Sequence, residues 1–101
     1  MPTTFGTATA HAAAIRAKRI SSTELVDACL GQIEKHNPAI NAVVTVDGER
    51  ARERARSADG ALAKGESWGP LHGVPFTVKD AFETEGLRTT SSYKPLADYV
   101  P

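Results

Sequence analysis

The sequence predicts an α/β chain of three helical segments and two short strands, in the order helix, helix, strand, helix, strand. The helices are predicted from an alanine-rich amino-terminal segment and from a helix-start signal of the capping-box type. The strands are predicted from a β-branched run and from an apolar run in which every second residue is more apolar than its neighbours.

The first helix is predicted over residues 8–18, with Thr7 as its N-cap, because alanine is the best helix former. The second helix is predicted over residues 23–36. It is introduced by Ser21-Ser22-Thr23-Glu24, in which a serine hydroxyl and the glutamate can satisfy free backbone N–H groups at the helix start. We expect it to end before Pro38, because proline disfavours helical geometry at the residue that precedes it.

Residues 40–46 are rich in β-branched side chains and predict the first strand. A third helix is predicted over residues 49–63, where small alanine side chains on one face permit close packing. The second strand is predicted over residues 73–79, after a loop punctuated by glycine and proline.

The composition predicts a thin core. Hydrophobic residues make up 41% of the chain, but 16 of these residues are alanine, and Leu, Ile, Val and Phe together number only 20. This is the level at which independent folding becomes doubtful. The chain shows no internal repeat and no second domain, so residues 1–101 are expected to belong to a single domain.

Charge and cysteine content exclude several function classes. Twelve basic residues balance 12 acidic ones, so we expect neither a nucleic-acid partner nor an anionic membrane. The arginines at positions 50, 52, 54 and 56 would point around a helix rather than to one side, and the interleaved Glu49 and Glu53 cancel much of their charge, so a solvated helix face is predicted. Cys29 is the only cysteine, which excludes an internal disulfide. With neither a signal peptide nor a membrane-spanning run in these residues, the expected location is cytoplasmic.

Lys79 is the candidate catalytic residue, since it places an ammonium group at the carboxyl end of the second predicted strand. Functional sites gather at such strand ends in α/β sheets. A lysine in water has a pKa of about 10.4 and acts as a base only where desolvation or positive charge lowers that value. The alternative is an ordinary strand-end lysine that pairs with a nearby carboxylate such as Asp80.

Other candidates for chemistry are weaker. Ser91 and Ser92 follow the lysine and suggest a Ser-Lys nucleophile, but a hydroxyl cluster after a glycine is more often a turn. His11, His36 and His72 are widely spaced and lack metal-ligand spacing, so no metal site is predicted. No phosphate-binding glycine motif is present, so no nucleotide site is proposed.

The run Gly69-Pro70-Leu71-His72-Gly73-Val74-Pro75-Phe76-Thr77-Val78-Lys79-Asp80 resembles the signature of the amidase signature family, G-P-L-H-G-[IV]-P-x-x-[VI]-K-D. The resemblance continues through residues 85–92 and 98–101, and upstream through residues 21–26 and 37–42. It implies the amino-terminal helices and first strands of the family's mixed-sheet α/β/α fold, incomplete in this chain.

The resemblance also implies a function, namely hydrolysis of a carbon–nitrogen amide bond by a Ser-cisSer-Lys triad in which Lys79 is the base. The two serines lie downstream of Pro101 in the family, and neither role transfers to Ser91 or Ser92. We therefore expect the 101 residues alone to be inactive, either as a truncated amidase or as a piece complemented by a carboxyl-terminal chain.

Two alternatives remain open. One is suggested by a resemblance to the glutamine-hydrolysing component of an amidotransferase, which releases ammonia from glutamine. The other is a non-catalytic fragment that binds a partner protein through its apolar helix faces. The amidase hypothesis predicts a small amide substrate and neither a metal nor an organic cofactor, and a homo-oligomer is left open.

Overall fold

Three α-helices form the regular framework of the computed structural model, which describes residues 3–101. They are α1 (Ala8–Arg16), α2 (Ser22–Ile40) and α3 (Gly48–Ala63). A short 3-10 helix, Lys94–Leu96, follows in the carboxyl-terminal part. The remaining described residues form turns and extended loops.

Helix α1 is shorter than the predicted segment. Thr7 is its N-cap, and its side-chain hydroxyl accepts a hydrogen bond from the Ala10 backbone N–H at 3.0 Å. The helix ends at Arg16 rather than at residue 18 because Lys18 lies in the left-handed region, with φ of 58°. A residue with that backbone geometry cannot continue a right-handed helix.

The start of α2 has both hydrogen bonds of a capping box. The Ser21 hydroxyl accepts from the Glu24 N–H at 3.0 Å, and the Glu24 carboxylate accepts from the Ser21 N–H at 3.1 Å. These bonds satisfy two backbone donors that a helix start would leave without partners.

The prediction that this second helix ends at residue 36 is wrong, since α2 continues through Pro38 to Ile40. Pro38 removes one backbone hydrogen bond of the helix, and the Asn37 side chain joins the last turn to the chain that follows it. Its amide nitrogen donates to the Val43 carbonyl at 2.8 Å, and its amide oxygen accepts from the Val43 N–H at 2.9 Å. Asn41 then ends the helix in the left-handed conformation, with φ of 46°, as a common C-cap residue.

Neither predicted strand forms within residues 3–101. Ile40 belongs to α2, and residues 41–47 form a loop held by Asn37 instead of a strand over 40–46. Residues 74–79 of the second predicted strand are irregular and pair with no other strand of the described chain. A strand requires a neighbour, and the only bridge among these residues joins Thr84 and Leu87. The mixed-sheet fold class therefore stays a prediction.

The core is small: α2 packs on α3, and Ala12 and Ile15 of α1 are buried as well. Helix α2 contributes Leu25, Val26 and Ala28 to it, and α3 contributes buried alanines. The α3 alanines are Ala55, Ala58 and Ala61. Because alanine side chains are short, the two helices approach closely while burying little apolar area.

Asp59 of α3 joins the two helices at the start of α2. Its carboxylate accepts hydrogen bonds from the backbone N–H groups of Ser22 at 2.7 Å and Thr23 at 3.1 Å, and from the Thr23 hydroxyl at 2.7 Å. A carboxylate is favourable at a helix N-terminus, where unpaired N–H groups and the helix dipole are positive. Asp59, a residue of α3, thus caps the start of α2.

Asp59→Ala should lower the free energy of unfolding by about 2 kcal/mol, because it removes the acceptor of three bonds. Asp27→Ala is the matched control. Asp27 forms an exposed ion pair with Arg52, at 2.8 Å, and its loss should cost less than about 1 kcal/mol. Urea unfolding followed by circular dichroism measures the free energy of unfolding of both variants. An equal loss in the two variants would show that the Asp59 cap stabilises the chain no more than an exposed ion pair does.

Candidate active site

Lys79 lies at the end of the irregular segment 74–79, and its side chain is exposed. Its backbone carbonyl accepts a hydrogen bond from the Phe82 N–H at 3.0 Å, so the chain turns directly after it. The position of the lysine is therefore determined by what holds the two ends of this segment.

His72 fixes the chain before this segment to α3. The side chain is buried, and its Nδ1 accepts a hydrogen bond from the Trp68 backbone N–H at 2.9 Å. Its Nε2 lies 2.8 Å from the Ala58 carbonyl oxygen and donates to it, so the ring is the Nε2–H tautomer. The histidine is structural, and it connects a turn of the loop to a helix.

Gly73 fixes the same region to the start of α2. Its carbonyl accepts a hydrogen bond from the buried Ser22 hydroxyl at 2.6 Å. Its φ is 81°, and an added Cβ would lie 3.1 Å from the Ser22 Cβ and 3.3 Å from the Ile15 Cγ2. Both the backbone conformation and the lack of space require glycine here.

Asp80 fixes the chain after the lysine. Its carboxylate accepts hydrogen bonds from the Thr90 backbone N–H, at 2.9 Å, and from the Thr90 hydroxyl. Its own carbonyl accepts from the Ser91 N–H at 2.9 Å. Thr89 and Thr90 are buried, so the residue that follows Lys79 is bonded to a buried side chain.

These hydrogen bonds shift the ionisation of Asp80. The Thr90 hydroxyl, followed by the Thr90 backbone N–H, lowers the pKa of the Asp80 carboxyl below its ordinary value, and the nearby Arg88 charge acts in the same direction. The carboxylate form is thus the form that the loop binds.

The carboxyl-terminal residues close this loop. The Pro101 carbonyl accepts from the Gly86 N–H at 2.9 Å, and the Tyr99 carbonyl accepts from the Thr89 N–H at 2.9 Å. The Tyr99 hydroxyl donates to Glu83 at 2.7 Å, and this bond raises the pKa of the tyrosine. Residues 80–101 therefore form a folded lobe that carries Thr90.

The structure gives Ser91 and Ser92 no role with the lysine. Both are exposed and adopt left-handed backbone conformations, with φ of 52° and 54°. Across residues 3–101, no hydrogen bond joins Lys79 to either hydroxyl. The turn interpretation fits these two residues.

The residues around the lysine leave apolar surface uncovered. Phe76 is 84% exposed, and Leu71, Val78 and Phe82 are also exposed. Within the part of the chain that the structure describes, nothing packs over this surface or over Lys79. The lysine is therefore held in place but is not desolvated by these residues.

Features of two other kinds of site are absent from the described chain. Across residues 3–101, no helix has the length and apolar content to cross a membrane. In the same residues, no three metal-ligating side chains lie together in a way that would hold a metal ion. The expectation that the chain needs no cofactor stays a prediction.

The sequence pattern identifies the lysine but not the residues that support it. It presents Asp80 only as an ion-pair partner for Lys79, whereas the carboxylate binds Thr90. The buried role of His72 and the cap provided by Asp59 were also missed. The sequence did hold one indication that His72, Gly73 and Asp80 support the lysine, because all three lie in the same continuous motif as Lys79.

Known proteins share most of this chain, including nearly all of α2, the whole of α3 and the loop that carries Lys79. A family model described as Amidase matches residues 24–101, which is most of the chain. The chain therefore belongs to the amidase signature family, and the resemblance inferred from the motif is confirmed.

Individual relatives agree with this assignment. The chain is 49% identical over 87 residues to the A subunit of glutamyl-tRNA(Gln) amidotransferase from Granulibacter bethesdensis, a match that includes 86% of this chain and 17% of the relative. It is 40% identical over 93 residues to an acylamidase of Rhodococcus erythropolis, with 92% of this chain and 20% of the relative matched. The chain thus spans about a fifth of the length of these relatives.

Gly73→Ala should destabilise the chain by about 1–3 kcal/mol, because alanine is strained at this positive φ and would contact Ser22 and Ile15 too closely. Gly60→Ala is the control, and it should change the free energy of unfolding in the opposite direction. Gly60 lies in α3 with open space around it, so alanine should stabilise the helix by about 0.5–1 kcal/mol. Urea unfolding tests the pair, and a neutral Gly73→Ala would contradict the proposed packing.

Acidification should release Asp80 from Thr90. Because the pKa of Asp80 is lowered in the folded chain, its stabilising contribution is complete above the ordinary aspartate pKa of about 3.9. That contribution is lost as the pH falls through the lower, folded pKa. Thr90→Val should raise the pKa of Asp80 toward the ordinary value, as measured by carboxyl carbon NMR.

The control for this titration is Thr84→Val. The Thr84 hydroxyl donates to the Phe82 carbonyl at 3.3 Å and makes no bond to Asp80. Its removal should leave the Asp80 titration unchanged. An equal shift in both variants would show that the Thr90 hydroxyl is not the cause.

Proposed function

We propose that this chain contributes the base, Lys79, to the hydrolysis of a carbon–nitrogen amide bond by a Ser-cisSer-Lys triad. The observation that carries the proposal is the signature run from Gly69 to Asp80, whose lysine is preceded and followed by anchored residues. Membership of the amidase family supports the same reaction class.

In the proposed reaction, neutral Lys79 accepts a proton, through the cis-serine, from the nucleophilic serine as this attacks the amide carbonyl. The resulting ammonium then helps to return a proton to the leaving amine, which leaves an acyl-enzyme for water to hydrolyse. By the family pattern, both serines come from sequence outside these 101 residues, so residues 1–101 alone should not hydrolyse amides.

The proposed base also requires a covering partner. A lysine accepts a proton only in its neutral form, and desolvation favours that form. Lys79 is exposed in these residues, and apolar side chains such as Phe76 are exposed beside it. We infer that a further segment or a complementing chain covers this apolar surface and removes water from the lysine.

A second candidate is the release of ammonia from glutamine. Relatives from Granulibacter bethesdensis and from Lachnospira eligens are both named as the A subunit of glutamyl-tRNA(Gln) amidotransferase, and the latter is 44% identical over 95 residues. Both candidates use the same lysine, and they differ in the amide that is bound.

A chimera tests the proposed role of the lysine. Residues 1–101 replace the matching segment of the Rhodococcus erythropolis acylamidase, and hydrolysis of an acyl amide is measured. Lys79→Ala should lower kcat/KM by about 100- to 10 000-fold, the usual contribution of a general acid-base group. The control, Lys64→Ala, changes an exposed lysine at the end of α3 and should have no effect.

Two results decide the role of the lysine. Loss of acyl amide hydrolysis in the Lys79→Ala chimera, and not in the Lys64→Ala chimera, supports Lys79 as the base that both candidates require. Equal activity of the two lysine variants in a folded, active chimera would exclude Lys79 as the base and leave the chain as a structural piece.

A further inference from the structure

We propose that Asp80 and Thr90 form a positioning pair that holds Lys79 in the geometry needed for proton transfer. This inference rests on the proposed function of Lys79. Neither residue is assigned to proton transfer itself. Both act by fixing the backbone from which the lysine side chain extends.

The residue next to the lysine is held by several hydrogen bonds. Asp80 accepts three of them, two at its carboxylate from Thr90 and one at its carbonyl from Ser91. Two of these bonds are to a charged acceptor, and such bonds are stronger than those between neutral groups. The backbone directly after Lys79 is therefore firmly attached.

The chain before the lysine is held less closely. The nearest anchor on that side is the Gly73 carbonyl, bonded to Ser22, six residues before Lys79. Across residues 75–78, the described backbone makes no hydrogen bond to another part of the chain. The hydrogen bonds nearest to the lysine backbone that reach beyond the turn at Phe82 are therefore those of Asp80, which join it to the lobe of residues 80–101.

Thr90 is itself fixed. It is buried, and Thr89 beside it donates its N–H to the Tyr99 carbonyl at 2.9 Å. The lobe of residues 80–101 is further closed by the bond between Gly86 and Pro101. The lysine is thus positioned against a folded lobe rather than against a free loop.

Precise placement matters because proton transfer requires hydrogen-bond distance between the base and its partner. A displacement of about 1 Å can cost about 100-fold in rate. In the acylamidase chimera, Thr90→Val removes the hydroxyl donor and should lower kcat by about 10- to 100-fold, with KM changed less than about twofold.

Two further variants separate positioning from folding. Thr90→Ser restores the hydroxyl and should recover kcat to within about threefold of the unaltered chimera. Asp80→Asn keeps the shape of the side chain but removes its charge, and should lower kcat without changing KM. Thr84→Val, the matched control, should leave kcat unchanged because its hydroxyl bonds only the Phe82 carbonyl. The melting temperature of each variant is measured alongside.

The inference is supported if Thr90→Val and Asp80→Asn lower kcat at nearly constant melting temperature and Thr90→Ser restores it. Unchanged kcat in Thr90→Val overturns it. So does a kcat that falls only together with the melting temperature, because the pair would then be merely structural. Lys79→Ala in the same chimera distinguishes this inference from the proposed function. If Lys79→Ala does not lower activity, the proposed function itself is wrong.

If the chimera does not fold, a second measurement tests the inference without it. In the 101-residue chain, nitrogen-15 relaxation reports the motion of each backbone amide. Thr90→Val should increase the motion at Lys79 and Asp80 while leaving α2 and α3 unchanged. Unaltered relaxation at Lys79 overturns the inference.

Discussion

The start of α2 is the point on which the rest of the structure depends. Four backbone N–H groups at a helix start lack partners within the helix, and they must be satisfied by other groups. Here the Ser21 hydroxyl satisfies one, and the Asp59 carboxylate satisfies those of Ser22 and Thr23. Because Asp59 belongs to α3, the same bonds that cap one helix also set the position of the other.

The loop that carries the lysine uses this junction as its attachment point. The Ser22 hydroxyl binds the Gly73 carbonyl, and His72 binds α3 through the Ala58 carbonyl. Small side chains on α3 allow this close approach. A core too thin to stabilise a large domain is therefore sufficient to orient one loop, because directional hydrogen bonds to buried groups supply what apolar area does not.

How much could be predicted from the sequence depends on the range of the interactions. The starts of α1 and α2 are set by residues within three positions of Thr7 and Ser21, and they were visible in the sequence. The end of α2 was not, because it depends on the Asn37 side chain bonding Val43 six residues away. Asp59 and Ser22 are 37 residues apart, and no periodicity or spacing rule connects them.

The features of the candidate site also differ in whether the sequence could predict them. The family motif identifies Lys79, while the alternating apolar pattern predicts a strand for the residues before it. In the structure Gly73 and Asp80 are instead the two anchors of an unpaired segment. Since β pairing requires a partner strand, an alternating apolar pattern alone could not decide between these outcomes.

The exposed lysine and the anchored backbone are two separate requirements of the proposed chemistry. Placing a base needs a fixed backbone, which hydrogen bonds within this chain provide. Making it neutral needs removal of water, which requires apolar surface packed against it. Phe76 and Val78 supply one side of such a contact and remain exposed. Hydrogen bonds within this chain therefore hold the backbone of the proposed base, and whatever covers Phe76 and Val78 would determine whether that base accepts a proton.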